Sequence, residues 1–524
     1  MAKKKRTDGN SFIPPIPQMA VDIEGPSSEN MLDTSNIYDQ VVYEDVHPQM
    51  DEWEVVEESE AMPYFPSRIQ PVNVKLGIER ESKVEVPLFS FIKLEDHFKY
   101  KKGYILNTGG NIWGLDFVPK VASQQSDPLT QYLAVGGYRG AAEEHMSMDE
   151  VQPTGTYKNC IQIYKLKLSA KQAQTDPVLE ICILHDFGVI YDLKWCPYGA
   201  YEEKSANSEL PKLGILTIAC GDETIRTMVV PHPEVIRTKL NITSNKTIYL
   251  RVKASRCTLA SKYSKALAIA WGGHKKLASC GTAGDVTVWN MESALRNPSA
   301  VCSQHLLYAS MVLDAPGKNI CWRGIIDPYH IIVGGFDGQI RLVDMNDPSV
   351  PFTMSRSRGP VYSIAWPGHA PMLLLSGAED VIRALTYSGS MGPCYTRYGE
   401  MPGPCWSIGM SEHHGHLSVA NATGWIVTTN VYQPKLKSIA LSLYVVYKLC
   451  YHAETKSFIY VDGLGVKTGE YMKKVPRYEL FSTPEVSLQK VTWNPNKETA
   501  GFIASGGAAG LCRIEFEGRG PNWE

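Results

Sequence analysis

The residues with the clearest chemical potential in this 524-residue chain are cations. Residues 231–266 carry eight Lys and Arg side chains against one acid, Glu234, and the stretch "MSRSRGP" adds Arg356 and Arg358. Lys and Arg hold phosphate through charge and counterion release, without a sequence code. Arg237, Lys239, Lys246, Arg251, Lys253, Arg256, Arg356 and Arg358 are therefore candidate DNA contacts, and a solvated basic loop is the plainer alternative. Both segments are expected on one rim of the fold. The opening "MAKKKR" brings Lys3, Lys4, Lys5 and Arg6 together, a composition suited to nuclear targeting or to a minor grip on phosphate.

Catalysis and metal binding find less to work with. "SEHHGH" sets His413, His414 and His416 close enough to share a metal ion, but it falls where two strands should be joined, and an exposed turn is expected. None of the twelve cysteines forms a Cys-x-x-Cys pair, so zinc is not expected, and buried thiols in a reducing compartment are. No Gly-x-Ser-x-Gly elbow, His-Glu-x-x-His helix or acetyl-coenzyme A loop is visible, and "GLGVKTG" lacks the glycine spacing of a phosphate loop. The expectation is a non-enzyme without cofactor or metal.

The elements that must position the cations come from a repeat. A short strand-like segment, "IWGLDF", "IYDLKW", "ALAIAW", "ICWRGI", "VYSIAW", "CWSIGM" or "LQKVTW", is followed each time by a hairpin-like one such as "LTIACGDETIRTM" or "IIVGGFDGQIRLV". There are seven copies, at spacings of 78, 76, 54, 41, 44 and 83 residues. The tightest of these match the roughly 40–45 residues of a four-stranded propeller blade. Each small sheet leaves both faces wet until neighbours in a ring cover them, which is why the figure is repeated. The pattern predicts an all-β, seven-bladed, WD-repeat-like propeller over residues 81–524. Small residues such as Ala219, Ala278, Gly334, Gly377 and Gly506 are expected where blades crowd together. The last copy lacks an outermost strand, and "GYILN" (103–107) has no blade of its own, so the two should pair (103–107 with 511–516) and close the ring.

Charge separates a tail from this body. Net charge is −3, yet residues 1–70 hold 14 acids and 5 bases, leaving 41 and 47 for the rest. Residues 1–80, rich in Pro, Ser, Asp and Glu, read as a disordered acidic tail with a basic start. Trp53, Tyr64 and Phe65 are unusual there, and serve either as anchors for a partner or as docking points on the body. No apolar run reaches the ~18–20 residues of a membrane-crossing helix, so no membrane is expected. The acidic insertion "AAEEHMSMDE" and the long segment 433–487 before blade 7 are extra surface, best used as subunit interfaces.

One string is more specific than a propeller requires: "DLKWCPYGAY" followed by "LPKLGILTIACGDETIRTMVVPHPEVI". It resembles the propeller subunit of the RNA polymerase III general transcription factor IIIC, most closely at Trp195, Cys196, Pro197, Gly199, Ala200, Leu213, Gly214, Pro231, His232 and Pro233. The likeness covers about residues 103–517. It implies a nuclear, non-catalytic scaffold in the half of the factor that holds the B-box of transfer-RNA genes, with a second propeller subunit and the large B-box-binding subunit as partners and promoter DNA reached through the complex. The family's basic, DNA-touching arm has no counterpart here beyond Lys3–Arg6. A chromatin adaptor gripping a histone tail in its central opening is the alternative.

Overall fold

Alternation of apolar and polar residues turns each repeat into an antiparallel sheet, and tight turns join the strands. In the second copy, Ile190–Trp195 pairs with Lys212–Cys220, which turns through Asp222 and Glu223 (φ 68°) into Thr224–Pro231, and Cys257–Ala260 completes the sheet. The computed structural model describes residues 32–77, 81–141, 144–203, 210–243, 246–378, 380–387, 393–432, 442–468 and 483–517. Among these residues the strands form seven sheets. Four are plain four-stranded blades, and three are lengthened by strands from elsewhere in the chain. No helix among the described residues is long and apolar enough to cross a membrane.

The innermost strands, Ile112–Phe117, Ile190–Trp195, Ala266–Gly272, Gly317–Trp322, Val361–Ala365, Cys405–Met410 and Leu488–Trp493, each pack against the next, and the last returns to the first. Blade 7 takes its fourth strand from Gly103–Asn107, which runs antiparallel to Leu511–Phe516 with Leu511 opposite Asn107. Side chains of the inner strands also bond the neighbouring blade. Asp116 accepts from Trp195 N at 2.9 Å, Asp192 from Ile269 N at 3.1 Å, and Ser363 from Ile408 N at 3.0 Å. These bonds satisfy backbone that would otherwise be buried without a partner, and so set the spacing of blades.

The blades approach closely where glycine replaces a side chain. A Cβ at Gly334 would lie 2.9 Å from Val361 of the next blade, and one at Gly506 would lie 2.5 Å from Ile112. A Cβ at Gly114 would meet a less yielding atom, the Leu193 Cβ, at 2.6 Å. Gly114→Ala is expected to cost about 1–3 kcal/mol by overpacking blades 1 and 2. The fall in the urea midpoint at unchanged slope measures it; an unaltered midpoint would mean that these blades have room to part.

The stretch expected to be disordered differs within its described part. Residues 32–77 lie along the ring as a belt. Trp53–Val56 pairs with Ile248–Val252, itself parallel to the outermost strand of blade 1, Val178–His185. Val72–Leu76 pairs with Ser457–Val461 beside blade 6 and with Ser82–Val86, while Phe91–Lys93 adds to blade 7. Burial overrides composition here: Trp53, Val72, Val74 and Leu76 are all buried, and the acids between them face solvent or cations. Segment 433–487, read as a connection into blade 7, contains the outermost strand of blade 6, Ser442–His452, besides Ser457–Val461.

Candidate functional site

The basic segment 231–266 does not run into blade 3 as a loop. Its first part is the helix Pro233–Leu240, begun by a proline and an acid and ended by Arg237, Lys239 and a left-handed Asn241. That order suits the helix dipole. The second part is the strand Ile248–Val252, and the third is the outer strand of blade 2. Because the innermost strands all run the same way, the ring has an entry rim, where they begin, and an exit rim, where they end. Helix 233–240 follows the exit-rim end of Thr224–Pro231, whereas Arg356 pairs with Gln339 at the entry rim. The helix therefore lies on the opposite rim from Arg356, whereas Ile248–Val252, parallel to Val178–His185, runs toward the entry rim and brings Lys253 out on the same side as Arg356, so the expectation of one rim holds for that part of the segment and not for the helix.

Half of the eight cations are tied to carboxylates. Arg237 is buried, pairs with Glu180 and donates to the Thr243 carbonyl at 2.8 Å. Arg256, also buried, pairs with Glu52 and donates to the His47 carbonyl at 2.6 Å. Both hold the fold together and are removed from the set of phosphate ligands. Arg251 lies between Glu54 and Glu60, 3.1 Å from each, and Lys246 is 3.2 Å from Glu57. The belt thus lays its acids over the basic strand. Such exposed pairs contribute ~0–1 kcal/mol each and are screened by salt, so they mask charge more than they stabilise. Lys239, Lys253, Arg356 and Arg358 remain exposed. Lys3, Lys4, Lys5 and Arg6 lie outside the described residues.

Of the two readings of the tail aromatics, docking on the body fits. Trp53 is buried among Ile181, Ile183, Ile248 and Leu250. Tyr64 packs with Cys160, Cys182 and Leu184, and Phe65 stands 5.7 Å from the Tyr249 ring. None of the three is presented to a partner in this arrangement.

The histidine turn is buried and not exposed. His413 bonds Thr34 Oγ1 at 2.9 Å and the Pro495 carbonyl at 2.7 Å, and stacks on Tyr38 of the belt. His414 bonds the Ala500 carbonyl at 3.0 Å, and burial holds its ring far below the ordinary histidine range. These are neutral, structurally engaged rings, and no metal-ligand group occurs among the described residues. Next to them Glu412, whose carboxyl burial pushes up to about 7, accepts from Gly368 N at 3.0 Å. It lines a cavity of about 350 Å³ reaching from the exit rim into the channel, beside Tyr38 and the strand-end tryptophans Trp195, Trp271, Trp322 and Trp493.

The entry rim holds a feature that repeat-matching passed over. In all seven blades the pairing of the innermost strand shifts register around its second residue. A bulge of this kind re-aims a side chain. Here it aims Trp113, Tyr191, Tyr362 and Trp406 into one small mouth, with Lys318, Leu267 and Gln489 completing it. The mouth encloses about 60 Å³. Tyr362 and Trp406 are 4.5 Å apart, and the Lys318 ammonium sits 4.5 Å from the Trp113 ring centroid. In six copies the aimed residue is the second letter, aromatic in four of them, but in the fourth the strand begins at Gly317, three residues before "ICWRGI", so Lys318 falls outside the repeat as read from the sequence.

No family model matches the chain. Over 86% of its length it is 23% identical to "Transcription factor tau subunit sfc6" of Schizosaccharomyces pombe, and over 88% it is 22% identical to human "General transcription factor 3C polypeptide 2". It spans 71% of the former and 58% of the latter, so that it covers just over half of its human relative. Among solved structures, a chain of "Crystal Structure of Mitotic Checkpoint Complex" aligns at TM-score 0.41 and 11% identity, over 74% of this chain and 85% of that one. The chain is thus a relative of transcription factor IIIC subunits.

Proposed function

We propose that this chain is a non-catalytic propeller subunit of a transcription factor IIIC complex, acting in the nucleus at the B-box of transfer-RNA genes and helping to assemble the RNA polymerase III initiation machinery. The observation that carries this reading is the similarity to two such subunits along most of the chain. A closed ring whose outside is strapped by its own belt suits a rigid scaffold better than a hinge. A second propeller subunit and the large B-box-binding subunit are its partners, and DNA affinity is shared with them. This chain adds sequence-independent phosphate contacts from Lys253, Arg356 and Arg358 on the entry rim, with Lys239 exposed on the other.

The test is purification of the tagged full-length chain from nuclei, with identification of what co-elutes. Stoichiometric recovery of the two partner subunits is expected, together with retention of a transfer-RNA gene fragment that is lost when its B-box is mutated. Recovery of the chain alone, or equal retention of both fragments, would overturn the proposal.

A further inference from the structure

The entry-rim mouth has no role in the scaffold reading, yet seven bulges build it. Its one unpaired charge is Lys318. Among the described residues no carboxylate or carbonyl bonds this ammonium, whose contact is the Trp113 ring. The neighbouring Lys490 is held by Asp192 at 2.8 Å. Burial, and then repulsion from Lys490, bring the Lys318 ammonium down to about 8, with Asp192, already held by Lys490, opposing the shift without bonding Lys318.

We propose that this mouth is a peptide-binding site, taking an acidic side chain from an extended segment of a partner protein against Lys318 within the aromatic frame. Three candidate occupants can be compared. A lysine or methyl-lysine, the usual guest of an aromatic frame, finds the cation–π seat on Trp113 filled by Lys318 and a second ammonium close by. An apolar side chain would cover the ammonium and leave it uncompensated, a costly burial. A carboxylate pairs with it, and a charge-assisted bond in a partly dry setting is stronger than in water. The enclosed volume of about 60 Å³ suits one small polar head and not a folded element.

Charge around the rim is mixed. Arg356 and Arg358 are exposed on the loop that leads into Tyr362, on the blade 4 to 5 side. Asp149 is exposed on the insertion that follows the second strand of blade 1. Asp314 and Asp337 lie on the same rim of blade 4, so the rim carries both signs and the preference for a carboxylate rests on Lys318 itself. The guest's chemistry is set by this mouth, separately from membership of any complex.

Fluorescence anisotropy with labelled, end-capped decapeptides tests it on the full chain. Alternating Ser-Glu is expected to bind at least about tenfold more tightly than Ser-Gln, and Lys318→Met to lose that factor, equal to about 1.4 kcal/mol. Lys318→Arg keeps a cation against the Trp113 ring and should stay within about threefold of the wild type; an unchanged urea midpoint in both variants separates lost recognition from lost structure. Four results would overturn the proposal: no binding of Ser-Glu at about 1 mM, equal binding of Ser-Gln, wild-type affinity in Lys318→Met, or a preference for peptides carrying lysine or trimethyl-lysine. Tighter binding of a phosphoserine version would replace carboxylate by phosphate as the guest and overturn the carboxylate assignment.

Discussion

Arg513→Met is expected to destabilise the ring by about 3–5 kcal/mol, the cost of stripping one member from a buried ion network. Arg513 lies on the strand that closes blade 7 and is fully buried. It bonds Asp462 at 2.6 and 3.2 Å and Glu515 at 2.8 Å, while stacking on Tyr447 and Tyr460. Lys101, just before the closing strand Gly103–Asn107, reaches the same two acids. The network therefore ties the ring closure to the end of the strand Ser457–Val461 beside blade 6. Methionine keeps much of the volume but leaves Asp462 with Lys101 alone. The measurement is urea unfolding of the single variant and of Arg513→Met/Asp462→Asn. If an uncompensated charge causes the loss, the double variant recovers a substantial part of it. Equal midpoints in the wild type and the single variant would show that the closure does not depend on these charges.

Trp53→Ala should release the belt from blade 1. Replacing a buried tryptophan by alanine removes about 3–5 kcal/mol, more than a four-residue strand and a few exposed ion pairs can supply. Glu54, Glu57 and Glu60 then leave Arg251 and Lys246 bare. Each cation that gains a phosphate contact steepens the dependence of log affinity on log salt by about 0.9. Non-specific duplex binding is thus expected to strengthen, with a slope steeper by about 2 if both cations engage. Limited proteolysis should cut between residues 50 and 64 in the variant and spare the wild type. Changing Glu54, Glu57 and Glu60 to glutamine offers the same slope without unmooring the strand. An unchanged slope in both variants would mean that the strand Ile248–Val252 is not a phosphate surface even when uncovered.

How much of this was legible depended on the range of the interactions involved. The seven repeats could be read because strand alternation, Gly-Asp turns and blade spacing are local, and the pairing of 103–107 with 511–516 because an unfilled place and an unassigned strand matched. The belt could not. "WEVVEESEAMPYF" contains too few apolar residues to fold by itself, and its order comes from surfaces made by Ile181, Ile248 and Leu250, which belong to distant parts of the chain. The same holds for the basic segment: counting charges reveals nothing of Glu180 behind Arg237 or Glu52 behind Arg256. His413, His414 and His416 looked like a turn by position, but belt and blade 7 atoms meet them from elsewhere. The entry-rim mouth depends on a bulge repeated seven times, visible only once strands are paired.

Closing the ring through strands far apart in sequence also has a consequence for biosynthesis. Thr108 bonds the Gly510 carbonyl across 402 residues, so the first blade must wait on the ribosome-proximal end of the chain before its neighbour exists. Contacts of such high sequence separation form slowly, and throughout translation the unfinished toroid exposes an open flank of the kind that aggregates. Maturation of this protein should consequently depend on a chaperone that shields nascent β-sheet, with truncated translation products cleared and not accumulated as partial rings.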